Sequence, residues 1–269
     1  MAVSAIYGIF TALEQRVVLA EQAQALEVQQ DVNTKMRHRL AAEAALQQEL
    51  ASTYSWISPV NCSQQKCIAL TFDDGPNAAT TSRILNILEK DHVTASFFIV
   101  GSRVAGNQGL LRRMYADGDE IGNHSWSHPD LTTLKPVEVR QQVVMTQDVI
   151  EAAGVPAPTL FRPPYGAVNK MVLNNVPLTV MFWNEDPRDW AANSPQQVEQ
   201  SLLSSVRPGG VIDMHDIYNV TADALGPIIQ NLKSRNYQFV TVSQLMGLKP
   251  GQHGEYFGFK PQDFQAGGV

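Results

Sequence analysis

The sequence predicts an α/β protein: a mostly parallel sheet leaning towards a closed barrel, preceded by one long N-terminal α-helix. Three observations predict it. From Cys67 onward, short apolar runs alternate with helix-like segments, the pattern of strand–helix units and of a parallel sheet, doubly wound or closed. No GxGxxG or Walker loop occurs, so a nucleotide-binding sheet loses ground to a barrel. Residues 11–51 contain neither Gly nor Pro and are rich in Ala, Gln, Glu and Leu, the composition of a helix.

Taken in order, that helix comes first. Leu19, Leu26, Asn33 and Leu40 recur every seven residues, but the companion positions Gln22, Gln29 and Glu43 are polar and make a poor seam. A solvated stalk is favoured over a helical dimer, which stays open as a route to self-association. Ser52 to Gln65, with Pro59, has linker character. Candidate strands follow at Cys67–Phe72, Thr94–Val100, Glu120–Asn123, Thr159–Arg162, Pro177–Trp183, Gly210–His215 and Gln238–Val242. Helix-like stretches lie between them at Thr80–Lys90, Gln108–Asp117, Pro136–Ala153, Pro195–Val206 and Ala222–Arg235. Lys249 to Val269, rich in Gly, Gln and Phe without periodicity, is expected to be a tail or surface strap. The expected division is therefore a helical segment and linker over 1–55, one domain over 56–248 and a tail over 249–269.

Bulk properties narrow the partners. The chain has 269 residues, 44% of them hydrophobic and 17% charged, with a net charge of −6 and no basic block. That argues against nucleic acid or an anionic membrane surface and suits a neutral partner such as a sugar or peptide. The two cysteines, Cys62 and Cys67, lack the further thiolates or histidines of a zinc finger, so a small disulfide-closed loop is expected. Such a bond implies an oxidising location, extracellular or in the cell envelope. The opening MAVSAIYGIF is apolar but lacks a basic flank and a cleavage site, and is too short to span a bilayer. It fits either the remainder of a longer export or anchor segment or the start of a helix.

The unusual polar residues fall at the C-terminal ends of the candidate strands. Asp73 and Asp74 follow the first strand, His124 and His128 the third, and Arg162 ends the fourth. Asp186 and Asp189 follow the fifth, and His215 ends the sixth. In a parallel barrel these ends converge on one face, where catalytic loops sit. His124 and His128 have the i, i+4 spacing that brings two imidazoles together if the segment turns helically. Adding Asp74 gives two histidines and one carboxylate, the ligand set of open catalytic zinc or related divalent sites. His38, His92 and His253 stand alone and are read as solvated or structural.

Five short motifs, TFDDGP, HSWSH, RPPYG, DPRDW and the run ending in MHD, resemble in order and spacing those of the polysaccharide deacetylases. That family is carbohydrate esterase family 4, the NodB-homology domain, and the resemblance covers about Cys67 to Met246. It implies a distorted (β/α) barrel of seven or eight units. It also implies a metal-dependent hydrolase removing N-acetyl groups from N-acetylglucosamine units of chitin or peptidoglycan, with a glycan as partner. One divalent metal is implied, zinc first, with cobalt, nickel or manganese as alternatives. By the family pattern Asp73 is the general base, while Asp74, His124 and His128 hold the metal. Arg162 pairs with the base, and the Tyr165 N–H is an oxyanion donor. His215 is the general acid, Asp189 orients it, and Trp190 and Pro163 belong to the substrate pocket.

One position departs from the pattern. Asp213 stands where the family usually has a leucine lining the acetyl pocket. Strand alternation puts it on the same face as His215, whose pKa it is expected to raise; a hydrogen bond to substrate, or a local rearrangement that leaves the pocket unchanged, are the alternatives. Trp126, Tyr165 and Trp190 are candidates for stacking on sugar rings. The same machinery would serve an acetylxylan esterase, and a non-catalytic glycan-binding protein is the alternative from another class.

Overall fold

The computed structural model describes residues 61–62, 64–248 and 254–256, together with Leu19. Apart from Leu19, the expected helix over 11–51 and its heptads, with most of the linker and most of the tail, lie outside the described residues.

Eight strands form one sheet with the order β6-β1-β2-β3-β4-β5-β8, and β7 also pairs with β1. The strands are β1 (Lys66–Asp73), β2 (Ser96–Ile99), β3 (Glu120–Asn123), β4 (Leu160–Phe161), β5 (Thr179–Met181), β6 (Gly210–His215), β7 (Tyr237–Phe239) and β8 (Glu255–Tyr256). Every pairing among them is parallel. Helices connect them: α1 (Thr80–Asp91), α2 (Gln108–Ala116), α3 (Pro136–Ala152), α4 (Lys170–Leu173), α5 (Pro195–Ser205), α6 (Asn219–Ser234) and α7 (Val242–Met246). The chain beyond β5 runs beside β6: Glu185 bridges to Ile212, and the Asp213 N–H donates to the Glu185 carbonyl at 2.9 Å. The segment after β5 thus curls round to β6, giving the distorted barrel.

Both faces of the sheet are buried, as a parallel sheet requires. Along β1, Ile68, Leu70 and Phe72 pack outward against the helices with Ile84, Leu88 and Leu225. Cys67 and Ala69 point into the barrel, where they meet Phe98, Met181 and Val211. Successive side chains alternate, so Thr71 and Asp73 continue this inner face. On β6 the same alternation sends Ile212 and Met214 outward and puts Asp213 and His215 in line with Val211. The period of two is what delivers the polar residues to the barrel mouth.

Several strands are shorter than their apolar runs. β4 stops at Phe161 because Arg162 precedes Pro163, which cannot donate to a ladder. The last run shifts towards its start, since Thr241 is taken as the cap of α7: its hydroxyl accepts from the Gln244 N–H, and Gln244 returns the bond. Helices α4 and α7 were not expected. Within the expected tail or strap, Glu255 and Tyr256 add a strand beside β5, Val180 opposite Glu255 and Met181 opposite Tyr256. Cys62 and Cys67 form the expected disulfide, with Cα atoms 5.3 Å apart.

Candidate active site

Asp73 ends β1 with Phe98 beside it on β2 and His215 beside it on β6. Its buried carboxylate accepts from Arg162 Nη1 at 2.8 Å. Burial pushes the Asp73 carboxyl up, and the cations of Arg162 and His215 oppose that shift. Asp74 leaves the strand with φ 75°, in the left-handed region. Its carboxylate meets the histidine pair instead, with Oδ1 3.2 Å from His128 Nε2 and 3.7 Å from His124 Nε2. The two adjacent aspartates therefore serve different partners, Arg162 for Asp73 and the histidine pair for Asp74. Gly75 follows, and a Cβ there would lie 2.0 Å from Asp216 Oδ2.

The imidazoles of His124 and His128 lie 4.8 Å apart, but not through the helical turn that their spacing suggested. The segment is a loop in which Ser125 (φ 67°) and His128 (φ 59°) are left-handed, and these two reversals fold it back. His124 is buried, and its Nδ1 lies 2.7 Å from the Arg162 carbonyl, which fixes the proton on Nδ1. Burial holds the ring neutral, its pKa lowered to about 3 against the pull of Asp74. The bare Nε2 lone pair thus faces carboxylate oxygens, Asp73 Oδ2 at 3.6 Å and Asp74 Oδ1 at 3.7 Å. Lone pairs gathered this way, with a backbone carbonyl behind one histidine, are what a divalent cation requires. The ligand atoms of Asp74, His124 and His128 all lie within 4.8 Å of one another.

Arg162 is fully buried, its guanidinium 4.0 Å above the Phe98 ring. Nε donates to the Met181 carbonyl at 3.3 Å and Nη2 to the Phe182 carbonyl at 3.2 Å. Nη1 has two hydrogens but faces three acceptors: Thr71 Oγ1 at 2.6 Å, Asp73 Oδ1 at 2.8 Å and Asp213 Oδ1 at 3.2 Å. Asp213 is the outermost of the three. Burial and the neighbouring Asp73 charge push its carboxyl well up.

His215 is braced from behind by Asp189. The Asp189 Oδ1 lies 2.8 Å from His215 Nδ1, and Oδ2 accepts from the His215 N–H at 2.8 Å and the Thr221 hydroxyl at 2.5 Å. The His215 proton facing Asp189 is on Nδ1, which leaves Nε2 for the cleft. Burial alone would lower the imidazole, but the hydrogen bond and charge of Asp189 outweigh it, with Asp213 and Asp73 adding to them. Together they push His215 up to about 10. Asp213 thus acts on His215 through its charge, behind Asp189, while its hydrogen bond is accepted from Arg162.

Tyr165 sits in a one-turn 3-10 helix, Pro164–Gly166, with φ 60°. The first N–H groups of such a turn have no partner within it. Its ring is exposed and meets His128 edge-on at 4.6 Å. Pro163 is buried at the start of this turn, and Trp190 is half exposed beside Asp189, whose Oδ1 accepts its N–H at 2.9 Å. Thr71 and Thr221 were missed in the sequence. Alternation along β1 could have found Thr71, two residues before Asp73. Thr221 carries no local signal, because its partner is 32 residues away.

The polysaccharide deacetylase family model matches residues 60–179. The peptidoglycan-N-acetylmuramic acid deacetylase PdaC of Bacillus subtilis is 46% identical over 69% of this chain and 40% of its own length. The chitooligosaccharide deacetylase of Bradyrhizobium is 35% identical over 67% of this chain and 90% of its own. Among solved structures, a family 4 acetyl xylan esterase from Clostridium thermocellum with a bound cobalt ion superposes with a TM-score of 0.65. It is 36% identical and covers 70% of this chain and 97% of the esterase. The chain belongs to the polysaccharide deacetylase family. It spans about two fifths of the length of the first curated relatives it matches.

Proposed function

We propose that the chain is a metal-dependent hydrolase that removes N-acetyl groups from N-acetylglucosamine units of a glycan, peptidoglycan or a chitooligosaccharide. One observation carries this reading. The three ligand atoms of Asp74, His124 and His128 converge beside an arginine-paired carboxylate, Asp73, and the imidazole of His215 braced by Asp189, with Asp73 and His215 on adjacent strand ends. The relatives that act on peptidoglycan and chitooligosaccharides support the substrate class.

Asp74, His124 and His128 would hold a divalent ion, zinc being the first candidate for two imidazoles and one carboxylate. When bound, the ion supplies a water of lowered pKa and positive charge for the acetyl carbonyl oxygen. Asp73, kept charged and aimed by Arg162, takes a proton from the attacking water. The Tyr165 N–H donates to the carbonyl oxygen as negative charge develops there. Amines leave poorly as anions, so His215 gives its Nε2 proton to the departing nitrogen while Asp189 keeps the Nδ1 proton in place. Trp190 and Pro163 border the acyl pocket, with Asp213 as an unusual carboxylate near its wall.

The domain over 56–248 carries this chemistry, and the disulfide suits an extracellular or envelope location. The test is acetate release from N-acetylglucosamine oligomers, peptidoglycan and acetylxylan. Release from the amide substrates supports the deacetylase. Release from acetylxylan alone reassigns the chain as an esterase, and release from none favours a glycan-binding protein.

A further inference from the structure

The loop that carries both histidines has a backbone that the sheet alone does not support. Two of its residues, Ser125 and His128, adopt the left-handed conformation, which non-glycine residues rarely take without support from their surroundings. Each N–H from His124 to His128 nevertheless has an acceptor. The His124 N–H reaches the Ile99 carbonyl at 2.9 Å, and the Ser125 N–H reaches Asn123 Oδ1 at 2.9 Å. The His128 N–H reaches Ser125 Oγ at 3.1 Å. The remaining two, Trp126 N–H and Ser127 N–H, both donate to one side-chain oxygen, Gln142 Oε1, each at 2.9 Å.

Gln142 lies on α3, outside every motif that marked the site in the sequence. The helix is fixed beside the loop by further bonds: the Asn123 side-chain amide donates to the Val143 carbonyl at 2.9 Å and to Gln147 Oε1 at 3.0 Å. Gln142 Nε2 also donates to Ser127 Oγ at 3.1 Å. Its amide therefore grips the midpoint of the span between the two ligands. His124 has other anchors, being buried and bonded to the Arg162 carbonyl. His128 is looser, its side chain 24% exposed, and its position depends on the path of the loop.

We propose that Gln142 is a positioning residue for the metal site: by accepting from Trp126 and Ser127, its side-chain oxygen fixes His128 against Asp74 and so sets metal affinity. This rests on reading Asp74, His124 and His128 as the ligands. Gln142 itself does not reach the ion or the substrate. Its role depends on an acceptor oxygen, so a carboxylate should replace it and an apolar side chain of similar length should not. Loss of such outer support typically weakens metal binding by about 10- to 100-fold.

The test uses the full chain and measures zinc affinity by competition with a chromogenic chelator, for wild type, Gln142→Met and Gln142→Glu. Thermal unfolding of each zinc-free protein is followed in parallel. The expected result is zinc binding weakened about 10- to 100-fold in Gln142→Met and restored towards wild type in Gln142→Glu, with zinc-free midpoints that do not follow this order. Wild-type affinity in Gln142→Met would overturn the inference, as would a Gln142→Glu protein that binds no better than Gln142→Met. Losses of affinity that track the zinc-free midpoints would make Gln142 a purely structural residue and overturn it too. A wild type that takes up no zinc, cobalt, nickel or manganese would instead sink the ligand reading, and this inference with it.

Discussion

Asp73 and Asp74 are neighbours in sequence but not in chemistry, because the strand ends between them and Asp74 turns left-handed. Asp73→Asn keeps the shape and removes the proposed base, so acetate release should fall by about 10²- to 10⁴-fold with zinc uptake retained. Equal loss of zinc would instead make Asp73 a ligand. His215 gives a pH prediction whose sign follows from its partner. Its imidazole is raised from 6.5 to about 10, so the proposed acid is protonated at neutral pH and activity should fall as pH rises. A cation on the ligands lowers that value by repulsion, which puts the fall at or below pH 10. Asp189→Asn should move this limb to lower pH, and Asp213→Asn should move it less, since Asp189 acts by contact and Asp213 by charge alone. A pH–rate profile unchanged in both variants would contradict the arrangement. The same shift stabilises the fold fully below pH 6.5, where folded and unfolded rings are both protonated, and that contribution is lost between 6.5 and about 10. Denaturant unfolding across this range checks it.

At the scale of elements, the strands were legible because alternation and apolar runs are local. Their ends were legible because the polar residues gather there. Asp73, His215 and Arg162 could be placed from those two facts before any contact was known. What was not legible depends on contacts distant in sequence: the shared Nη1 of Arg162, the support from Thr221, and the grip of Gln142 on the histidine loop. The helical turn expected between His124 and His128 failed for a related reason. Spacing alone does not distinguish a turn from a loop whose donors are satisfied by Asn123, Ser125 and Gln142. β3 and β2 also pack closely, and a Cβ at Gly122 would lie 2.4 Å from the Phe98 ring. Phe98 is the platform under Arg162, so Gly122→Ala should cost about 1–3 kcal/mol by urea unfolding. It should also lower activity by tilting the guanidinium. Wild-type stability in this variant would mean that the ring has room to yield.

At the scale of the molecule, a barrel with both faces of its sheet buried leaves one mouth where β1, β3, β4 and β6 end together. The net charge of −6 suits a neutral polymer better than a polyanion. Its rim offers the exposed rings of Tyr165 and Trp190 as surfaces for sugar faces. The central claim is that the cluster of Asp74, His124 and His128 holds the ion on which hydrolysis depends. The most direct test is acetate release from N-acetylglucosamine oligomers by chelated full chain, titrated with zinc while bound metal is counted. The account predicts no release without metal and recovery that saturates at one ion per chain, with both lost in Asp74→Ala. Undiminished release from protein shown to contain no metal would contradict it.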